Sequence, residues 1–289
     1  MASPGIDLPF DRVLRGLRRD RAARLPGDSR FLLHRAADEL IERLDLVARP
    51  FADALDLGCG DDYLGAKLRE RGVAVTSLDA GALFAAGARG SQSDEDRLPF
   101  AEARFDLVVS VGTLDTVNDL PGALIQARRA LRPDGLFLAA LTGAGSLPRL
   151  RSALRAAEEA ENLPSAARLH PQIDVRAAGD LLVRAGFALP VADDEQLEVR
   201  YSGLAALVAD LRGMAAANLL AERPRRPFGR IGYAAAAAAY AAQADADGRT
   251  AEQIHILHLS GWAPSPHQPK PARRGSATAS LADALKPKA

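Results

Sequence analysis

The spacing of apolar positions changes along this chain, and each change marks an element. Over 11–46 the residues Phe31, Leu32, Leu40, Ile41 and Leu44 recur on one helical face, and Pro50 closes the segment. The next hundred residues carry short apolar runs separated by helical patterns. Strands are predicted over 54–57, 74–78, 107–111 and 136–141, and helices over 64–71 and 120–131. Strands alternating with helices imply a parallel sheet with crossover helices on its faces. Arg132-Pro133-Asp134-Gly135 is a turn signal before the fourth strand. Further on, the pattern predicts a helix over 175–185 ended by Gly186 and a strand over 196–201. Helices follow over 204–218 and over the alanine run 234–242 around Tyr240, then a strand over 254–259. The organisation expected is a helical segment over 1–49, an α/β domain over 50–263 with a helical insertion or cap over 203–250, and a disordered tail over 264–289. That tail is Pro, Lys, Arg, Ser and Ala, with one helical turn over 281–285.

Composition narrows the function classes. The chain has 289 residues, 48% of them apolar, enough for one large α/β domain with additions. Its 37 basic and 37 acidic residues cancel, so it lacks the positive excess that nucleic-acid binding uses. No apolar run reaches the length of a membrane span. One cysteine, Cys59, cannot form an internal disulfide, which fits a reducing compartment and a cytoplasmic location. Arg12, Arg15, Arg18, Arg19, Arg21 and Arg24 crowd together as in an organelle transit peptide. Asp7, Asp11 and Asp20 argue instead for a polar-faced helix packed on the domain.

The candidate chemistry lies at the ends of the first two strands. Asp56-Leu57-Gly58-Cys59-Gly60 closes the first; Leu78-Asp79 closes the second. Glycines permit a sharp turn and close approach of a ligand, and the helix that follows aims its unpaired N–H groups at the same place. An acid about 20 residues later can accept both ribose hydroxyls and would repel a ribose phosphate. Asp79 is that acid, unless it is a plain turn residue. Position 62 is aspartate, so neither common third-glycine spacing is met. Asp62 reads as an N-cap, or as a carboxylate for a cationic part of the ligand. Asp94, ahead of Leu98-Pro99-Phe100, can accept from the exocyclic amine of an adenine walled by Leu98 and Phe100; otherwise 93–97 is a solvated acidic loop.

These residues, with Phe105-Asp106-Leu107-Val108 and Leu131-Arg132-Pro133-Asp134-Gly135, resemble the class I S-adenosylmethionine-dependent methyltransferases. Outer motifs resemble a narrower group holding the malonyl-carrier-protein methyltransferase of biotin synthesis and the mitochondrial arginine hydroxylase of complex I assembly. They are Phe10-Asp11-Arg12, Asp20-Arg21-Ala22-Ala23, Val117-Asn118-Asp119-Leu120-Pro121, Arg184-Ala185-Gly186-Phe187, Asp210-Leu211-Arg212-Gly213-Met214 and Gly261-Trp262-Ala263-Pro264. The hydroxylase is the nearer of the two by these motifs. The resemblance implies a Rossmann-like seven-stranded sheet with a reversed last strand, with S-adenosylmethionine as cofactor. It implies methionine-moiety contacts at Gly58 and Gly60 beside Asp56, ribose at Asp79, adenine at Asp94 and Leu98, and a cap over 204–240. Thr116 stands where the family often has an aromatic, and Asp115 where it often has histidine or glutamine.

Three readings follow. The first is methyl transfer, with Asp115 and Tyr63 as substrate-side candidates that otherwise are ordinary loop residues. The acceptor is a small molecule, a carrier protein or a respiratory-complex subunit. The second is arginine hydroxylation in complex I assembly. No metal set is legible for it: His34, His170, His255, His258 and His267 are scattered, and His255 and His258, three apart on a strand, face opposite ways. The third is a non-catalytic S-adenosylmethionine-binding assembly protein.

Overall fold

Strand β1 (Asp53–Leu57) has four of its five residues buried, as a strand covered on both faces must. In the computed structural model, which describes residues 8–269, it pairs in parallel with β2 (Ala74–Asp79) and β4 (Phe105–Val111). Strand β3 (Ser91–Gln92) extends the sheet beyond β2, and β5 (Leu131–Thr142) lies parallel to β4. Strand β7 (Thr250–Trp262) runs antiparallel to β5, and β6 (Ala188–Tyr201) antiparallel to β7 at the edge. The order is β3-β2-β1-β4-β5-β7-β6, with the chain's last described strand reversed as expected.

The pleat of β4 divides the core. Leu107 and Val109 point into one cluster, which α2 (Phe31–Asp45), α3 (Tyr63–Glu70) and α6 (Pro148–Ala160) cover with Leu40, Leu68 and Ala153. Val108 points into the other, beneath α5 (Leu120–Ala130) and α7 (Val175–Ala185) with Leu124 and Leu182. Burying each such leucine contributes about 2 kcal/mol. The alanine run forms α9 (Arg230–Ala241), whose Tyr240 is fully buried in the first cluster.

Several elements differ from the sequence expectation. The predicted helix over 204–218 is α8 (Leu204–Gly213), stopped where Ala215 turns left-handed at φ +58° and the Ala216 amide closes onto the Leu211 carbonyl at 2.7 Å. Residues 214–219 are thereby released to line a cavity. Helices α4 (Ala82–Gly87) and α6 were not predicted. The start of α6 carries no local cap; Glu252 on β7 supplies it, accepting from the Arg149 and Leu150 amides at 2.9 and 3.0 Å. The turn signal at 132–135 lies inside β5 as an irregularity, with Asp134 at φ +64° and the register against β4 shifting between Phe105 and Leu107. The predicted disordered tail begins with ordered residues, since Gln268 donates to Asp134 Oδ1 at 2.9 Å and to the Ala263 carbonyl at 2.8 Å. The turn predicted over 281–285 lies outside the described residues.

Helix α1 (Arg12–Ala23) crosses the carboxyl ends of β1 and β2 and is strapped down. Phe10 bridges Leu220, the Asp11 amide donates to the Leu219 carbonyl at 2.9 Å, and Asn118 takes both the N–H and the carbonyl of Phe10 at 2.8 and 3.1 Å.

Candidate active site

Gly58 and Gly60 turn the chain after β1 with φ of +77° and +54°. A Cβ on Gly58 would sit 2.3 Å from Thr113 Cγ2, so Gly58 is required both by its conformation and by a neighbour. Ser110 and Thr113 hold that turn by donating to the Leu57 carbonyl at 2.8 and 3.3 Å. Asp56 is buried beneath it with Oδ2 unpartnered among the described residues. Burial first, then the charges of Asp62 and Asp79, push its carboxyl up to about 7. Asp62 is the residue before α3 but not its cap: it is left-handed, with φ +66°, and its carboxylate pairs with Arg69 instead of the helix amides. Its Oδ1 is buried and unpartnered too. Burial raises the Cys59 thiol far out of the nucleophilic range.

Asp79 has all its donors supplied by the protein. Oδ1 accepts from the Gly81 amide at 2.7 Å and Arg19 Nε at 2.6 Å; Oδ2 accepts from the Gly60 amide at 3.0 Å and Arg19 Nη2 at 2.5 Å. Arg19 is itself buried and lies over the Phe84 ring, 5.3 Å from its centroid. A bidentate guanidinium thus occupies the carboxylate where the sequence reading places a ribose.

The same helix face continues the pattern. Arg12 spans Asp94 at 2.8 Å and Asp96 at 2.6 Å; burial opposes the Asp96 charge, but the Arg12 bonds outweigh it and hold the carboxyl below its ordinary value. Arg15 pairs with Glu95 at 2.7 Å and donates through Nε to Thr116 Oγ1 at 3.1 Å. An aromatic at 116 would offer no such acceptor. Arg12, Arg15 and Arg19 are spaced three and four apart, which is one face of a helix. The sequence held that signal, but an acid array 60 to 84 residues away is not visible from it.

Two spaces flank Arg19. The one at the glycine loop, lined by Asp56, Gly58, Gly60, Tyr63 and Arg19, is about 30 Å³, the smaller of the two. The other is a mainly apolar cavity of about 120 Å³ under 214–219, with Val111, Ala140, Leu147 and Ile256 as walls and Asp115, His170 and Gln172 among its polar groups, beside Arg15, Arg19, Thr116 and Thr142. Arg19, Leu33 and Val111 line both. Asp115 has Oδ1 buried and unpartnered. Burial keeps His170 toward its neutral form, consistent with Nε2 accepting from the Leu219 amide at 2.9 Å. Tyr63 is not beside Asp115: its hydroxyl is held by Asp38 at 3.1 Å, and its ring stacks on His34 with centroids 4.1 Å apart. Leu98 and Phe100 pack on the second core cluster, with the Leu98 amide on Gln126 at 2.8 Å. His255 and His258 bond Asp194 and Glu195, neighbours on β6 whose side chains face opposite ways.

The residues at the loop fit S-adenosylmethionine in charge. An unpartnered carboxylate oxygen on Asp56, in the lining of the glycine-loop space, suits its cationic end, and a carboxylate closes β2, whereas Asp62 is paired with Arg69 and lies outside the lining. Arg19 occupies Asp79, so that carboxylate can take ribose hydroxyls only when Arg19 moves away.

A parallel sheet with a reversed strand, a glycine turn after β1 and an acid ending β2 define the class I methyltransferases, and the chain belongs to that S-adenosylmethionine-dependent family. A profile described as methyltransferase domain matches residues 29–189. The chain is 35% identical to "Arginine-hydroxylase NDUFAF5, mitochondrial" of Danio rerio, over 96% of this chain and 89% of that protein. It is 31% identical to the malonyl-(acyl-carrier protein) O-methyltransferase of Laribacter hongkongensis, over 85% of this chain and 87% of the relative. In fold it is similar to Haemonchus contortus phosphoethanolamine N-methyltransferase 2 in complex with S-adenosyl-L-methionine (TM-score 0.50, 14% identity, 80% of this chain and 53% of that one).

Proposed function

We propose that this chain transfers a methyl group to an acceptor seated in the apolar cavity, with Asp115 as the group that meets the acceptor's reacting end. The observation that carries the reading is the unpartnered Asp115 Oδ1 in a cavity that shares Arg19, Leu33 and Val111 with the glycine-loop space. S-adenosylmethionine supplies a methyl already made electrophilic by its sulfonium. Asp56 balances a positive charge at the glycine loop. Asp79 and Asp94 take hydroxyl and amine donors once Arg19 and Arg12 withdraw. The apolar walls keep water out, and Asp115 orients the acceptor through Oδ1 and takes its proton where it carries one. Tyr63, tied to Asp38, shapes the loop.

Arginine hydroxylation is the second reading. It is supported by the 96% coverage of the likeness to the relative named as an arginine hydroxylase, and by Asp115, since a guanidinium is a natural partner for a buried carboxylate oxygen. Incubation of arginine-bearing peptides or extracts with S-adenosylmethionine, and in parallel with dioxygen and a two-electron reductant, separates the two by mass: a gain of one methylene in the first or of one oxygen atom, with the second oxygen leaving as water, in the other. Asp115→Asn is expected to lower methyl transfer roughly 100-fold or more with cofactor affinity unchanged. Unaltered turnover in that variant would remove Asp115 from the reaction.

A further inference from the structure

Helix α1 carries arginines on two faces, and only one is neutralised. Arg12, Arg15 and Arg19 meet acids, as described above. Arg18, Arg21 and Arg24 lie on another face and, with Arg212 from the end of α8, line an open concavity of about 320 Å³ floored by Leu25, Ala215 and Ala217. Its lining contains no carboxylate. Arg18 Nε is buried with no hydrogen-bond partner among the described residues. Burial, then the charges of Arg223, Arg21 and Arg212, hold the Arg18 guanidinium below its ordinary affinity for a proton. Four guanidinium groups brought together without a counter-charge repel one another, and an anion with several oxygens removes that cost.

We propose that Arg18, Arg21, Arg24 and Arg212 form a binding site for a phosphate group. A carboxylate offers two oxygens and one charge, which one arginine fork satisfies. A phosphate offers three acceptor oxygens and close to two charges, which suits several forks at once. The site adjoins the apolar cavity: Ala215 lines both, while Met214 and Ala216 line the cavity and Ala217 the arginine side. A ligand with a phosphate end therefore sits one backbone segment from the acceptor space. Val13 and Leu17 are exposed on the outer side of the same helix, 75% and 49% accessible, so the phosphate belongs either to a soluble molecule or to a lipid headgroup.

Calorimetric titration of the full chain with inorganic diphosphate, at about 0.15 M salt, tests the site. Saturable binding is expected. It should weaken at least about tenfold in Arg212→Gln, or in Arg24→Gln if the first misfolds, because each change removes a charge-assisted bond. Sedimentation with phosphatidylcholine vesicles, with and without phosphatidylglycerol, separates the sources. Capture by anionic vesicles that diphosphate reverses assigns a lipid headgroup, and diphosphate binding without capture assigns a soluble phosphate. No saturable diphosphate binding, or equal binding by wild type and both variants, overturns the proposal. S-adenosylmethionine affinity, measured on the same samples, is expected to stay within about twofold in both variants; its absence in wild type would count against methyl transfer and not against this site.

Discussion

Arg19 decides what the site can hold. Its two bonds to Asp79 are buried, and removing one partner of a buried pair costs about 3 kcal/mol because the other charge is left bare. The same bonds must be broken before Asp79 can take hydroxyl donors. Arg19→Gln is therefore expected to lower the stability of the ligand-free chain by about that amount while tightening S-adenosylmethionine binding. Thermal unfolding and calorimetry check the two signs, and weaker binding in the variant would show that Arg19 belongs to the loaded site. At this scale the sequence placed Asp56, Asp79 and the two glycines at the ends of the first two strands, where they lie, because their spacing is local. It did not disclose what fills them, because Arg19 and Asp79 meet only through the fold.

Among the elements, α1 is held at its ends as well as by its arginine pairs. Asp11 caps it by accepting from the Leu14 amide at 3.0 Å, and Asn118 clamps Phe10 in front of it. Asn118→Ala removes the clamp and leaves two backbone groups of Phe10 to water. The expected result is a loss of about 1–3 kcal/mol, faster hydrogen exchange over Arg12–Ala23 and earlier tryptic cleavage at Arg21 and Arg24. Unchanged exchange over α1 would assign the restraint to the arginine pairs alone. Most strands and helices were legible from apolar periodicity. The misses have physical causes: α6 is capped from β7, and α8 ends on a left-handed alanine that no glycine announces.

For the whole molecule, the raised Asp56 carboxyl ties stability to pH. The folded chain keeps this proton up to about 7, whereas the unfolded chain releases it near the ordinary carboxylate value. The folded state thus binds more protons between those limits, and stability falls as pH rises through that window. A cationic ligand favours the ionised form, so S-adenosylmethionine affinity rises as pH passes through about 7. Asp56→Asn should flatten both curves. Denaturant titrations and calorimetry from about pH 5 to 8 measure them, and a wild-type affinity independent of pH would remove Asp56 from the cationic subsite. The parallel part of the sheet was readable from the alternation of elements, and its reversed strand was implied by the resemblance, whereas the full strand order emerges only in the fold. The occupied state of Asp79 was not readable, since it depends on where one side chain reaches.

The bridge between Phe10 and Leu220 joins positions 210 residues apart. A ribosome adds about 5–20 residues per second, so the first helix waits roughly 10–40 s before its far anchor exists. During that interval the helix can already reach Asp79 through Arg19 and Asn118 through Phe10, and still lacks the Leu219 and Leu220 contacts. The restraint over the cofactor space is therefore acquired in stages along the growing chain, first at Asp79, then at Asn118 and later at Leu220.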